Sequence, residues 1–229
     1  MKKKIKRIVV FITTILVIAI ITRLFIGEPC YVPSASMEPA ILTGDWLWID
    51  KLSFGGKLPE CWSDIPLINI FTHIPFLREM DKKNSWGYKR LPGSMQPQVN
   101  DIIVFKSLEN NDVLLVKRVF QILHIGEIIY LKDSINRPLF EQILKIEKRK
   151  NAIEEKVSGD LYTLKQNYYF VLGDNKNNSV DSRNFGCIPE SLVIGKINRG
   201  IISIETKEDK KSRLRFDRIF FDVNSNVLK

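Results

Sequence analysis

Two short stretches of the chain carry the same Ser-Met-x-Pro pattern, and each holds a serine that is a candidate nucleophile. The first is PSASMEP at residues 33–39, and the second is GSMQP at residues 93–97. A serine hydroxyl is not ionised at neutral pH, so it attacks a carbonyl only when a neighbouring base removes its proton. The chain must therefore supply a base for Ser36 or for Ser94.

Histidine is a poor candidate for that base. The chain contains two histidines, His73 and His124, and neither lies in a motif typical of catalysis. The other common base is a neutral lysine. Because an exposed lysine titrates at about 10.4, such a lysine must be buried among apolar groups to lose its proton near neutral pH.

Lys117 meets this requirement through its neighbours in sequence. It lies within VLLVKRVF at residues 113–120, a run of apolar and β-branched residues typical of a strand. Strand alternation places Leu115, Lys117 and Val119 on one face and Arg118 on the other. Two interpretations stay open on this strand alone: a buried general base, or a charge on an edge strand that prevents aggregation.

A polar loop with the sequence GDNKNNSVDSRNFG follows an apolar run and spans residues 173–186. Its many turn-forming residues are typical of a surface loop. The same residue types would also suit a supporting shell for a neutral lysine. In that case Ser179 would hydrogen-bond the amine, and Asp181 and Arg183 would pair to hold the loop rigid.

The segments that must position these residues are mostly short strands. Runs rich in β-branched and aromatic residues lie at 43–50, 99–106, 113–123, 127–132, 168–174 and 192–205. The sequence therefore predicts a mainly β protein. We expect an insert over about residues 55–97 and a small polar subdomain over about residues 124–168.

The N-terminus predicts a membrane anchor. The basic segment MKKKIKR at residues 1–7 precedes the apolar run at 8–22, which reaches the length of a membrane span at residue 26 if Arg23 extends toward the head groups. A cleaved signal peptide has the same order, but no small-x-small cleavage site follows. We therefore expect a transmembrane anchor at 8–26, a cytoplasmic N-terminus, and a catalytic domain at 27–229 outside the cytoplasmic membrane.

Charge and cysteine content exclude other classes. The net charge is +9, but five positive charges lie in the first seven residues, and a second basic cluster is interrupted by acidic residues. We therefore expect no nucleic-acid partner. Cys30, Cys61 and Cys187 allow at most one disulfide, which the sequence does not specify. No CxxC is present and no histidine lies near a cysteine, so we expect no metal and no cofactor.

Taken in order, these motifs resemble those of bacterial type I signal peptidases. PSASMEP, GDWLWIDK, NDIIVFK, VKRV and GDNKNNSVDSR follow an N-terminal span, and the resemblance covers nearly the whole chain after residue 8. The segment YKRLPG at residues 88–93 is similar to one in the long inserts of signal peptidases from Bacteroidetes-like bacteria. Two departures are Asn100-Asp101, where the family has Gly-Asp, and residues 123–127, where it has a Pro-Gly-Asp turn.

The resemblance implies a mainly β domain on the outer side of the membrane that cuts signal peptides after small-x-small sequences. It implies that the protein needs no cofactor. It also implies that preproteins and membrane lipid are its partners and that it is a monomer. Position by position it implies the following roles: Ser36 as nucleophile, Lys117 as general base, Ser34 and the Ser36 N–H as oxyanion donors, Ser179 as the serine that orients the lysine, Asp181 with Arg183 and Arg118 with Asp174 as structural pairs, and Met37 with Pro39 as residues that shape the turn.

Three further expectations complete the sequence-based interpretation. Ser36 is preferred over Ser94, because Ser34 precedes Ser36 by two residues whereas Pro92 occupies that position before Ser94. Trp46, Trp48 and Phe54 either contact the membrane interface or pack in the core. The alternatives to a general signal peptidase are a processing peptidase with a narrow substrate range and an inactive, membrane-anchored binding or scaffold protein.

Overall fold

The computed structural model describes residues 2–66, 79–81, 84, 86–108, 113–130, 143, 161–206 and 212–224. The chain begins with helix α1 (Lys2–Ile21), which continues as a π-helical turn over Thr22–Ile26. The segment Lys3–Ile26 is long and apolar enough to cross a membrane, and none of its most apolar window is buried in the protein. An apolar helix that is not buried against the described part of the protein fits the predicted anchor.

Short strands make up most of the remaining described chain, as the β-branched runs predict. They are β1 (Gly27–Tyr31), β2 (Asp45–Asp50), β3 (Ile102–Lys106), β4 (Leu114–Leu123), β5 (Ile128–Tyr130), β6 (Leu161–Thr163), β7 (Tyr168–Leu172), β8 (Ile188–Pro189), β9 (Val193–Thr206) and β10 (Ser212–Leu214). A one-turn helix, α2 (Ser182–Phe185), follows β7. Short 3₁₀ turns lie at Trp62–Asp64, Lys176–Asn178, Glu190–Leu192 and Phe216–Arg218. The predicted mainly β class is confirmed.

Eight of these strands form one antiparallel sheet, in the order β1-β2-β9-β3-β4-β7-β8, with β10 paired to β9. Strands β5 and β6 form a separate two-stranded sheet. The long strand β9 comes late in the chain but lies between β2 and β3. It therefore joins the part of the sheet that follows the Ser36 loop to the part that carries Lys117.

The sheet is buried on both faces at its centre, which explains the unbroken apolar run of β3. Ile102 and Val104 pack into one hydrophobic cluster, together with Leu47 and Ile49 of β2. Ile103 and Phe105 point the other way, into a second cluster with residues of β4, β7 and β9. Successive residues of a strand point to opposite faces, so a strand with two buried faces has no polar alternation.

The expected insert and the expected small subdomain lie partly outside the described residues. Residues 67–78, 82–83 and 85 of the expected insert at 55–97 are not described, and neither are residues 131–142 and 144–160 of the expected subdomain at 124–168. Within the described part, Lys57 and Arg90 form an isolated bridge between the two ends of the insert.

The two departures from the family pattern both fall at turns. Asn100, which stands where the family has glycine, adopts a positive φ of 74°. Asparagine tolerates this conformation better than most residues, so it replaces glycine there at little strain. In the turn at residues 123–127, Gly126 has a φ of 85°, and the Glu127 N–H donates to the His124 carbonyl at 3.1 Å.

Candidate active site

The loop between β1 and β2 carries Ser36. The next residue, Met37, anchors this loop in the hydrophobic core. The Met37 side chain is 1% exposed and packs in the cluster that also holds Leu47 and Ile49. The Ile41 N–H donates to the Met37 carbonyl at 3.0 Å, which closes a helical turn. Pro39 is exposed and follows a cis peptide bond. Burial of Met37 thus fixes the turn on which Ser36 is presented.

Lys117 and Ser36 meet across 81 residues of sequence. Lys117 Nζ lies 2.8 Å from Ser36 Oγ and 3.1 Å from the Val116 carbonyl oxygen. Lys117 is 3% exposed and pairs across the sheet with Ile103, so apolar side chains surround its stem. Burial lowers the pKa of Lys117 below its ordinary value, although the charges of Asp181 and Asp174 oppose the change. A lysine with these properties can accept a proton from the serine.

Ser34 stands beside the nucleophile candidate. Its hydroxyl oxygen lies 3.4 Å from Ser36 Oγ, and the residue is exposed to solvent. Within the described part of the chain, the backbone N–H of Ser36 donates to no other group. Of the two oxyanion donors that the resemblance implies, the Ser34 hydroxyl thus lies beside Ser36 Oγ, and the Ser36 N–H has no acceptor among the described residues.

The loop after β7 holds the main chain of the Ser36 turn. The Asn175 N–H donates to the Ser36 carbonyl at 3.1 Å, and Asn175 Nδ2 donates to the Ala35 carbonyl at 3.1 Å. Gly173 lies so close that a Cβ atom there would collide with the Ser36 carbonyl and with the Ser179 side chain. Glycine is thus required at residue 173 for this close approach.

Ser179 lies next to Gly173 but is not bonded to Lys117 in this structure. Its hydroxyl is buried, and no group in the described ranges accepts from it or donates to it with good geometry. The Lys117 amine is instead bonded to Ser36 and to the Val116 carbonyl. Ser179 therefore has a hydrogen-bonding capacity that is still unused.

Asp181 organises the loop from its buried position. Its carboxylate is fully buried and accepts from the Gly173 N–H at 3.0 Å, from Arg183 Nε at 2.8 Å and from Arg183 Nη2 at 2.9 Å. It also caps α2 by accepting from the Arg183 N–H. Burial alone would raise the pKa of Asp181, but hydrogen bonds from the Arg183 side chain and the Gly173 N–H lower it to about 2.

Arg118 and Asp174 form a second charged pair behind the site. Arg118 Nε lies 2.8 Å from Asp174 Oδ1, and Nη2 lies 2.7 Å from Oδ2. Such a two-pronged pair is more rigid than a single contact. Arg118 also donates to the Asn100 carbonyl at 2.9 Å, so it links the loop after β7 to the turn before β3.

Other residues singled out in the sequence lie elsewhere or outside the described chain. The Ser94 hydroxyl donates to the Ser53 carbonyl at 3.4 Å rather than approaching Lys117. His73 falls outside the described residues, and His124 is exposed in a turn. Among the residues that the structure describes, no cluster of His, Cys, Asp or Glu is arranged to hold a metal.

The structure also shows the state of the three cysteines and the exposure of Trp46, Trp48 and Phe54. Cys30, Cys61 and Cys187 are all free. Phe54 is buried in the second hydrophobic cluster, so of the two predicted locations, membrane interface or core, it occupies the core. Trp46 and Trp48 lie on the outer face of β2, exposed by 36% and 37%.

Sequence reasoning did not single out Asn175 or Gly173. Both belong to the segment Gly173-Asp174-Asn175 at the start of the polar loop, where glycine and asparagine are typical of an ordinary turn. Asn175 contacts Ala35 across 140 residues, so only the folded chain reveals the contact.

Comparison with known proteins gives a consistent result. The family model described as "Signal peptidase, peptidase S26" matches residues 5–201. A signal peptidase I from Buchnera aphidicola subsp. Baizongia pistaciae is 32% identical, over 90% of this chain and 79% of that protein. Proteins of the same name from Rickettsia typhi and Aquifex aeolicus are 27% and 24% identical, over 85% and 86% of this chain and 79% and 82% of their own lengths.

Proposed function

Because the chain belongs to the signal peptidase family, peptidase S26, we propose that Ser36 and Lys117 are the catalytic pair with which it removes signal peptides from preproteins. Membership of this family makes the protein a membrane-anchored serine endopeptidase that acts on signal peptides. The observation that carries the residue assignment is the 2.8 Å contact between Ser36 Oγ and the buried amine of Lys117.

The proposed reaction begins with proton transfer. Neutral Lys117 takes the proton of Ser36 as the serine oxygen attacks the scissile carbonyl. The carbonyl oxygen becomes negatively charged and accepts from the Ser34 hydroxyl and the Ser36 N–H, each worth about 3–4 kcal/mol of transition-state stabilisation. The tetrahedral intermediate then collapses, and the Lys117 ammonium gives its proton to the leaving amine.

Deacylation reuses the same groups. Lys117, neutral again, takes a proton from a water molecule that attacks the acyl group on Ser36. The oxyanion donors act a second time, and the proton returns to Ser36 as the acid product leaves. Ser179 would orient the lysine amine when it turns away from Ser36, and its unpartnered buried hydroxyl is the support for that role.

The edge of β4 next to the site suits an extended peptide. Residues Leu114–Arg118 pair with β3 on one side, whereas on the other side β7 ends with Leu172 opposite Arg118. In the described sheet, the main chain of residues 114–117 therefore has one edge without a strand. A peptide that adds to this edge would run toward Lys117 and Ser36. We include in the proposal the small-x-small specificity that the family resemblance implies.

The proposal extends to placement in the cell. The basic residues at the start of α1 favour a cytoplasmic N-terminus, with the catalytic domain on the outer side of the cytoplasmic membrane. We propose a monomer that contacts membrane lipid and no nucleic acid. Neither the narrow-range peptidase nor the inactive scaffold has an observation in its favour.

The test of the catalytic pair is cleavage of a preprotein in detergent by three variants. Ser36→Ala and Lys117→Ala should reduce cleavage to background without unfolding the protein. Ser94→Ala is the matched control, because it removes a serine from the second Ser-Met-x-Pro stretch, and its rate should stay within about twofold of wild type. Cleavage by Ser36→Ala or Lys117→Ala at a rate near wild type would refute the assignment.

A further inference from the structure

The membrane anchor joins the sheet without a linker. The π-helical turn ends at Ile26, and β1 begins at Gly27. All five residues of β1 pair with β2, from Gly27 opposite Asp50 to Tyr31 opposite Trp46. A chain that passes directly from a helix into a paired strand has few free backbone torsions at the junction, so the junction is stiff.

Lys51 ties the catalytic domain to the end of the anchor. It follows β2 directly, and its side chain is 11% exposed. Lys51 Nζ lies 2.7 Å from the Arg23 carbonyl oxygen, and the Lys51 N–H donates to the Ile26 carbonyl at 3.0 Å. The last carbonyls of a helix lack partners within the helix, and a cation there is favoured by the helix dipole. Lys51 donates a hydrogen bond to one of these carbonyls and places a positive charge at the end of the helix.

Glu28, the second residue of β1, completes the arrangement. One carboxylate oxygen lies 2.8 Å from Lys51 Nζ, and the other lies 2.7 Å from Arg23 Nε. Burial would raise the pKa of Glu28, but hydrogen bonds and charge from Lys51 and Arg23 hold it below the ordinary value. A single carboxylate therefore bridges a residue of the anchor and a residue of the domain.

A close packing contact supports the charged cluster. A Cβ atom at Gly56 would come within 2.8 Å of Phe25 Cδ1 and 3.2 Å of Phe25 Cα. The last turn of the anchor thus lies directly against the main chain of the domain. Charge, backbone hydrogen bonds and packing all act at the same joint.

We propose that Lys51, Glu28 and Arg23 form an anchor clamp, which fixes Ser36 at a set height and orientation relative to the bilayer and thereby favours membrane-held substrates. The clamp residues are positioning residues that touch neither Ser36 nor Lys117. The proposal rests on the proposed function, because it concerns delivery of the same active site to the signal peptide.

The physical argument concerns encounter geometry. A signal peptide held in the bilayer presents its scissile bond at a nearly constant depth, because the apolar segment is confined to the hydrocarbon layer. An enzyme fixed at the matching height raises the effective concentration of one reactant at the other. A soluble peptide reaches the site by free diffusion and gains nothing from this alignment.

The experiment uses the full chain in vesicles of phosphatidylethanolamine and phosphatidylglycerol. It compares kcat/KM for a membrane-inserted preprotein with kcat/KM for a short soluble peptide that carries the same cleavage site. Lys51→Met should lower the first value about 10-fold and leave the second within about twofold. Lys51→Arg, which keeps a cation that can reach both partners, should restore most of the preprotein rate.

Lys57→Met is the matched control. Lys57 also donates to a backbone carbonyl, that of Ser191 at 3.0 Å, and also pairs with a glutamate, Glu60 at 2.8 Å. Both of these partners belong to the catalytic domain. Lys57→Met should therefore change the two rates by the same factor, with no preference for either substrate.

A second variant tests the joint without altering a side chain. Four residues, Gly-Ser-Gly-Ser, inserted between Ile26 and Gly27 should reproduce the selective loss of preprotein cleavage. Equal loss of both rates in Lys51→Met and in the insertion, or no loss in either, would overturn the clamp. Wild-type enzyme that cleaves neither substrate would instead refute the proposed function.

Discussion

Asn175 holds the peptide unit whose N–H belongs to Ser36. Its side chain donates to the Ala35 carbonyl at 3.1 Å. That carbonyl and the Ser36 N–H are parts of one planar peptide group and point in opposite directions. By fixing the oxygen, Asn175 also fixes the direction of the N–H that we propose as an oxyanion donor. The bond further polarises the peptide group, which strengthens the N–H as a donor.

Asn175→Ala should lower kcat about 10-fold and leave KM nearly unchanged. Removal of an entire oxyanion donor lowers kcat by about 10²–10³-fold, and a loosened donor should lose less. Steady-state kinetics on a soluble peptide give both values. A raised KM with an unchanged kcat would mean that Asn175 contacts substrate instead.

Lys117→Met should abolish activity but stabilise the fold. A general base contributes about 10²–10⁴-fold to the rate. The same lysine is buried, so the folded protein must either desolvate its charge or give up its proton, and methionine of similar length avoids both costs. We expect a higher melting temperature in detergent for this variant.

Arg118→Met is the control for that measurement. Arg118 is the next residue on the same strand, but its charge is paired with Asp174. Its loss leaves a carboxylate unpaired, so the melting temperature should fall. A lower melting temperature for Lys117→Met as well would contradict a destabilising role of the lysine.

The pH dependence of kcat/KM should show an acid limb that belongs to Lys117. The rate rises with pH as the ammonium loses its proton, and the midpoint should lie below the ordinary lysine value of about 10.4 because burial lowers the pKa. The Asp174 carboxylate raises that pKa, so Asp174→Asn should move the limb to lower pH. A limb that moves to higher pH would argue against Lys117 as the base.

Asp181→Asn should destabilise the loop in a pH-dependent way. The carboxyl pKa is about 2 in the folded protein, below the ordinary 3.8. Its contribution to the free energy of unfolding is therefore present above the ordinary pKa and is lost as the pH falls through about 2. We expect a loss of about 1–3 kcal/mol at pH 7, measured by thermal unfolding in detergent.

That difference in stability should shrink toward about pH 2, where the wild-type carboxyl is itself protonated. A difference that does not change between neutral and strongly acidic pH would indicate a steric effect of the asparagine. Ser182 gives a comparison site in the same loop, because its hydroxyl accepts from the Val171 N–H and does not titrate.

Much of the fold could be predicted from the sequence, because its long strands are apolar runs. β2, β3, β4 and β7 fall within predicted segments, and β9 extends one residue beyond the segment predicted at 192–205. β1 was missed, since Glu28-Pro29-Cys30 has no strand pattern and proline gives no ladder hydrogen bond. A proline is tolerated there because β1 is at the edge of the sheet.

Some residues of the candidate site can be identified from their neighbours in sequence, and others only from contacts with residues far away in the chain. The sequence made Lys117 a candidate base, because a neutral lysine needs an apolar strand, but the strand left an edge-strand charge equally open, and the pairing with Ser36 came from the family resemblance. Asn175 and Lys51 were not candidates, because each acts on a backbone carbonyl far away in sequence. Backbone carbonyls are the same in every residue, so no pattern of side chains identifies them as partners.

The place of β9 in the sheet also bears on the order in which the site can assemble. The half of the sheet next to Ser36 and the half with Lys117 are joined in the described sheet by β9, which follows both of them in the chain. Asn175, another link between the halves, also comes late. In a nascent chain that does not yet include residues 193–206, no strand joins these two halves. We therefore expect the contact between Ser36 and Lys117 to form only after β9 has been added to the sheet.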